Sequence, residues 1–200
     1  MKEKIIARED FKTTKWAGGE TTQLAIYPED ADFADRDFLW RISSATFTGT
    51  ESTFSDFSGY QRYLLPLEGD LSVVHKGLYA RELKKYEVEY FDGGWETSSK
   101  NSPDCRDYNF ILRSGYPAKL QVLGQGDEYI MRPNSIVTLF STEDFVVDFG
   151  TEKDKREIDG FSLYVLEMDT EIEISIISAS EPVILTEFVE GNSSQNGNLI

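Results

Sequence analysis

Three short segments of this chain combine charged, polar and aromatic residues at spacings that could do chemistry. In Cys105-Arg106-Asp107-Tyr108-Asn109-Phe110-Ile111-Leu112-Arg113 a period of two puts Tyr108, Phe110 and Leu112 on one face. Asp107, Asn109, Ile111 and Arg113 share the other. A strand face carrying Asp, Asn and Arg is either solvated or lines a polar pocket. In Phe38-Leu39-Trp40-Arg41-Ile42-Ser43-Ser44-Ala45 the same alternation sets Trp40 and Ile42 against Arg41 and Ser43. A desolvated guanidinium without a partner costs several kcal/mol. Arg41, if buried, therefore pairs with a carboxylate such as Asp107 or with an anionic ligand. In Phe54-Ser55-Asp56-Phe57-Ser58-Gly59-Tyr60-Gln61-Arg62 the Ser, Asp and Gly mark a turn into a strand that opens at Arg62.

An arginine fork binds a carboxylate bidentately. Arg41, Arg62 and Arg113 would then supply positive charge for a small organic anion. Ser43, Asp107 and Asn109 would orient it, and aromatics such as Trp40 or Trp95 would form walls. The same residues allow a metal-independent isomerase or hydrolase, with Asp107 as general base and Arg41 or Arg113 as electrostatic stabiliser. A neighbouring arginine lowers a carboxylate's pKa, which argues against Asp107 as a base. A third role is structural, with a homodimer formed through an exposed sheet.

Other chemistries fail on counts. The chain has one histidine, His75, and one cysteine, Cys105. A centre needing two or three imidazoles cannot be built from one chain, nor can an internal disulfide or a CxxC motif. His75 ends an apolar run before Lys76-Gly77 and reads as a surface histidine; no G-x-S-x-G accompanies it. Cys105 reads as a small buried or half-buried side chain. The acidic cluster Glu29, Asp30, Asp32, Asp35, Asp37 lacks the glycine and closing glutamate of a calcium loop and reads as solvated. No metal or cofactor is expected. Of 200 residues, 20 are Lys or Arg and 36 Asp or Glu, a net charge of −16 that repels nucleic acid. No apolar run approaches the ~20 residues of a membrane helix. No h-region opens the chain. A cytoplasmic setting is the default.

The elements that must hold these residues are strands. β-branched and aromatic runs recur between Gly, Asn, Asp and Pro, fourteen of them from Gln23–Tyr27 to Val183–Phe188, and no 3.6-residue stripe persists. Glu68-Gly69-Asp70 and Lys76-Gly77 read as hairpin turns. Glu29–Asp37, Asp92–Pro103 (with an exposed Trp95) and Thr151–Asp159 read as loops. The expected division is residues 1–114, residues 115–190 and a disordered tail at 191–200, with strands open to exchange between the two halves.

The motifs carry a resemblance. Trp40-Arg41-Ile42-Ser43-x-Ala45, Phe54-Ser55-x-Phe57-x-Gly59-x-x-Arg62, Leu67-Glu68-Gly69 and Asp107-Tyr108-Asn109-x-x-x-Arg113 follow one another as in the HutD/Ves family. Gly19-Glu20-Thr21-Thr22-Gln23-Leu24, with Pro28 after it, resembles that family's N-terminal motif, although Trp16 stands nearer the turn than the family's tryptophan. The match runs from about Trp16 to Arg113. The resemblance implies an all-β bicupin: two packed cupin-like β-barrels of the jelly-roll type. It implies no fixed reaction, but a regulatory or ligand-binding role linked to histidine utilisation or to stress. Cupins often hold a metal with two or three histidines, a set this chain cannot supply.

Overall fold

The computed structural model describes residues 1–150 and 154–190. Strand β1 (Lys2–Ile6) is followed by a 3-10 turn at Arg8–Asp10. Ten strands then build one compact unit, Phe11–Ser114. They are β2 (Lys12–Trp16), β3 (Gly19–Tyr27), β4 (Trp40–Phe47), β5 (Glu51–Thr53), β6 (Tyr60–Glu68), β7 (Leu71–His75), β8 (Tyr79–Leu83), β9 (Glu89–Asp92), β10 (Thr97–Asn101) and β11 (Arg106–Arg113). Eight more lie beyond Gly115: β12 (Ala118–Leu123), β13 (Glu128–Met131), β14 (Ser135–Phe140), β15 (Phe145–Asp148), β16 (Lys155–Ile158), β17 (Leu163–Met168), β18 (Ile172–Ala179) and β19 (Val183–Val189).

Each unit is a pair of antiparallel sheets. In Phe11–Ser114 a six-stranded sheet, β2-β3-β4-β11-β6-β9, faces a four-stranded one, β5-β10-β7-β8. One apolar cluster joins them: Ala45, Phe47, Leu64 and Phe91 from the first sheet, Leu71, Val73 and Leu83 from the second. Alternation along β4, β6 and β11 aims one set of side chains into this interior. The other unit pairs β1-β17-β14-β19-β12 with β13-β18-β15-β16 around a core from Leu123 to Leu185.

The first ten residues, read above with the N-terminal half, join the C-terminal unit. β1 runs antiparallel to β17, from Lys2 opposite Glu167 to Ile6 opposite Leu163. Glu3 fixes it there, accepting from Arg156 at 3.0 and 3.1 Å and from the Tyr164 hydroxyl.

Two segments read as loops hold strands. β10 lies inside 92–103 and runs between β5 and β7. Its period of two is real but polar: Thr97, Ser99 and Asn101 are buried, Ser98 and Lys100 exposed. Burial is eased by bonds from Ser99 Oγ to Ser52 Oγ at 2.9 Å and from Asn101 Nδ2 to Gly49 O at 2.9 Å, although Asn101 Oδ1 is left without a partner. β16 occupies part of 151–159, as a charged strand at the edge of its sheet. Residues 151–153 and the tail 191–200, read as disordered, lie outside the described residues. Among the described residues no helix is long and apolar enough to cross a membrane.

Candidate functional site in the N-terminal unit

The site grows from three neighbouring strands. Across β4 and β11, Ser43 stands opposite Asn109 and Arg41 opposite Ile111; across β11 and β6, Ile111 faces Arg62. Arg41, Ser43, Arg62, Asp107 and Asn109 therefore share the inner face of the six-stranded sheet, and all five are buried.

Asp107 marks an irregularity. The β11–β6 register shifts between Arg106 and Asp107, where the opposing residue is Pro66, which brings no N–H to the ladder. The Asp107 carbonyl accepts from Ser44 Oγ at 2.7 Å, and its Oδ1 accepts the Ala45 N–H at 2.8 Å. Burial pushes its carboxyl up to about 6, against the pull of the Ala45 bond and of Arg62, Arg106 and Arg41. Desolvation thus outweighs the neighbouring arginines, the reverse of the expectation from sequence.

Arg41 Nε donates to Gln23 Oε1 at 2.8 Å and its Nη1 to Ser43 Oγ at 3.1 Å, while its Cζ lies 4.0 Å from the Phe33 ring centroid. Arg62 is more isolated. It is 5% exposed, and its Cζ lies 4.6, 5.3 and 5.7 Å from the ring centroids of Phe54, Phe91 and Phe57. Its Nε has no hydrogen-bond partner. Among the described residues neither Arg41 nor Arg62 has a carboxylate within ion-pair distance. Asp107 acts on both only through space. Burial brings each guanidinium down to about 10, so both remain charged at neutral pH.

The other sequence candidates fall elsewhere. Trp40 lies on the opposite face of β4, stacked on Tyr27 at 5.7 Å and edge-on to Phe110 at 6.5 Å, so it is no wall of this interior. Arg113 closes the end of β11. Its Nη2 donates to Arg36 O and to Tyr60 Oη, both at 3.3 Å, tying down the segment before β4. Trp95 is half-buried on the core, 5.2 Å from the His75 ring. Cys105 is buried, and burial pushes its thiol up to about 12.

His75, read as a surface residue, is 1% exposed. Its position at the inward end of the Leu71, Val73, His75 alternation is the signal that reading set aside. Gln23 and Phe33 were also missed. Gln23 sits in the quoted Gly19–Leu24 motif, opposite Ser43. Phe33 comes from the acidic segment, which solvates its charges and turns this ring toward Phe38 and Phe57.

Among the described residues, the buried side-chain polar atoms that lack a hydrogen bond lie in Phe11–Ser114; they include Arg62 Nε, Asn109 Oδ1 and His75 Nε2. A groove of about 680 Å³ in the other unit is lined by Lys119, Tyr129, Arg132 and Glu187, among others. There Glu187 is fully served by Arg132 N (2.6 Å), Arg132 Nε (2.6 Å) and Tyr129 Oη (3.0 Å). No three His, Cys, Asp or Glu side chains among the described residues come together as metal ligands would.

Paired antiparallel sheets repeated in two units, with a polar interior in one, define a cupin-like β protein. The chain belongs to the HutD family, whose model matches residues 8–184. It is 28% identical over 163 residues to a 21.2 kDa protein of the hutC 3′ region of Pseudomonas putida, covering 80% of this chain and 83% of that one. HutD from Pseudomonas fluorescens SBW25 superposes with a TM-score of 0.77 at 22% identity, covering 96% of this chain and 100% of its own. PA5104 from Pseudomonas aeruginosa PAO1, a conserved protein of unknown function, gives 0.79 at 23% identity, covering 94% and 98%.

Proposed function

We propose that the interior of Phe11–Ser114 binds a small organic anion, a carboxylate of amino-acid type, on Arg62 and Arg41. The observation that carries this reading is Arg62, a buried guanidinium on three phenylalanine rings with no carboxylate in ion-pair reach and an unbonded Nε. Such a group is costly in the free protein and is compensated by an incoming anion. Asn109 Oδ1, also unbonded, is an acceptor left for an N–H or O–H elsewhere on the same molecule, not for its carboxylate. The place of the Pseudomonas putida relative in the hutC 3′ region supports a regulatory role in amino-acid (histidine) catabolism, as the family's name implies. Calorimetry and thermal shift with a panel of amino acids, N-acylated amino acids and simple carboxylates test it. At least one carboxylate should bind to the wild type, and Arg62→Met should lose it. An empty panel, or equal binding by the variant, overturns the reading.

A second reading is catalysis without a metal, with Asp107 as general base. It is favoured by the rise of that carboxyl to about 6, close to a working pH. Turnover of a bound carboxylate that disappears in Asp107→Asn would establish it; turnover unchanged in the variant removes it.

A further inference from the structure

The C-terminal unit holds a carboxylate on the inner side of a core strand. Glu187 continues the row of Val183 and Leu185 along β19 and is 0% exposed. Taking such a charge out of water is costly and is repaid only by well-placed donors. Here they are Arg132 N and Arg132 Nε, both at 2.6 Å, and Tyr129 Oη at 3.0 Å. Ser135 Oγ donates to Arg132 O at 2.6 Å. Arg132 is thus fixed at its amide, its carbonyl and its Nε, although its side chain is 45% exposed. Among the described residues nothing accepts from its Nη1 or Nη2. The buried carboxylate therefore preorganises a fork whose free edge is left for another acceptor.

Arg132 lines the groove of about 680 Å³, and one wall of that groove is β12. Residues directly opposite in an antiparallel ladder show their side chains on one face. Lys119 stands opposite Glu187, Gln121 opposite Leu185 and Leu123 opposite Val183. The inner row of β12 therefore passes from Leu123 in the core to Gln121 and Lys119 in the groove. Lys119 Nζ lies 5.3 Å from the Tyr129 ring centroid and pairs with no carboxylate among the described residues. The groove's other carboxylates belong to the outer face. Glu128 and Ile130 alternate with the inward Tyr129 and Met131, and Glu173 stands opposite Ile130. These exposed charges rim the groove and are weakened by salt. Such a rim disfavours an extended polyanion and leaves the held guanidinium and the lysine for a compact one.

We infer that Arg132 and Lys119, with the Gln121 amide, bind a compact, doubly charged oxyanion in a second site of this protein, independent of the anion reading above. A phosphate group and a short dicarboxylate share that chemistry. The experiment titrates the full chain at pH ~8, where a phosphate group carries its second charge. The probes are inorganic phosphate, O-phosphoserine, succinate and acetate, followed by calorimetry and by amide NMR. At least one of the first three should bind about tenfold or more tightly than acetate and shift the amides of Lys119, Gln121 and Arg132. Preference for the phosphates or for succinate names the source, and either supports the site. Lys119→Gln, a change at an exposed position, should weaken that binding about tenfold, and Arg132→Lys, which keeps a charge without the fork, should weaken it as well. Arg62→Met should leave it unchanged. No binding by the three dianions, binding indifferent to both groove variants, or binding lost in Arg62→Met overturns the second site.

Discussion

At the scale of single residues, Arg62 separates stability from binding. Replacing even a buried ion pair by apolar side chains of similar volume is often neutral or stabilising by about 1–4 kcal/mol, and a guanidinium with no ion-pair partner has less attraction to lose. Its cradle of Phe54, Phe57 and Phe91 already suits a thioether. Arg62→Met should therefore raise the melting temperature while abolishing the anion-induced shift; a variant that melts lower assigns Arg62 to the fold. Asp107 carries a pH signature. Its carboxyl stands at about 6 when folded, against 3.8 for the free side chain. A raised folded value means the contribution to stability is complete below pH ~4 and is lost as pH rises through ~6, a span of roughly 3 kcal/mol. Asp107→Asn keeps an acceptor for the Ala45 N–H and removes the titration. Chemical denaturation from pH 3.5 to 7.5 should show a decline in the wild type across that window and a flatter profile in the variant. Parallel profiles would show that Asp107 ionises freely.

At the scale of elements, legibility followed the chemistry of the buried face. β4, β6 and β11 were readable as strands because polar residues alternate there with apolar ones, and that period grouped Arg41 with Ser43 and Asp107 with Asn109 on common faces while leaving open whether those faces were buried. β10 was not, because its inward residues are Thr97, Ser99 and Asn101, whose burial depends on partners from β5, β7 and the turn at Gly49. His75 was misread although the Leu71, Val73, His75 alternation aims it inward, because the neighbouring Glu89 comes from β9 and no local pattern announces a cross-strand pair. Turn chemistry was plainer. Gly69 links β6 to β7 at φ 68°, and a Cβ there would stand 2.4 Å from Ser102 Oγ and 2.9 Å from the Cys105 backbone. Gly69→Ala should cost about 1–3 kcal/mol, through left-handed strain and displaced backbone. Loss of hydrogen-exchange protection should centre on β7 and the start of β11. A neutral variant would show that this turn can re-form with another geometry.

At the scale of the whole molecule, the net charge of −16 sets how an anion arrives. The site's own cations, Arg41 and Arg62, are buried, so their field reaches solvent weakly, whereas most carboxylates lie on the surface. An approaching anion meets repulsion first and attraction only on entry. Salt shortens the reach of both, to ~10 Å at 0.1 M, but screens exposed charges far more than buried ones. The association rate of a bound carboxylate should therefore rise between about 10 and 150 mM salt, while its dissociation rate changes little. This is opposite to a basic, steering surface, whose on-rates fall steeply with ionic strength. Stopped-flow fluorescence is a natural readout, because Trp95 packs against the His75 ring at 5.2 Å. An on-rate that falls with salt would mean that the arginines dominate the approach path, and hence that the site opens to solvent through a positively charged mouth rather than through the acidic shell.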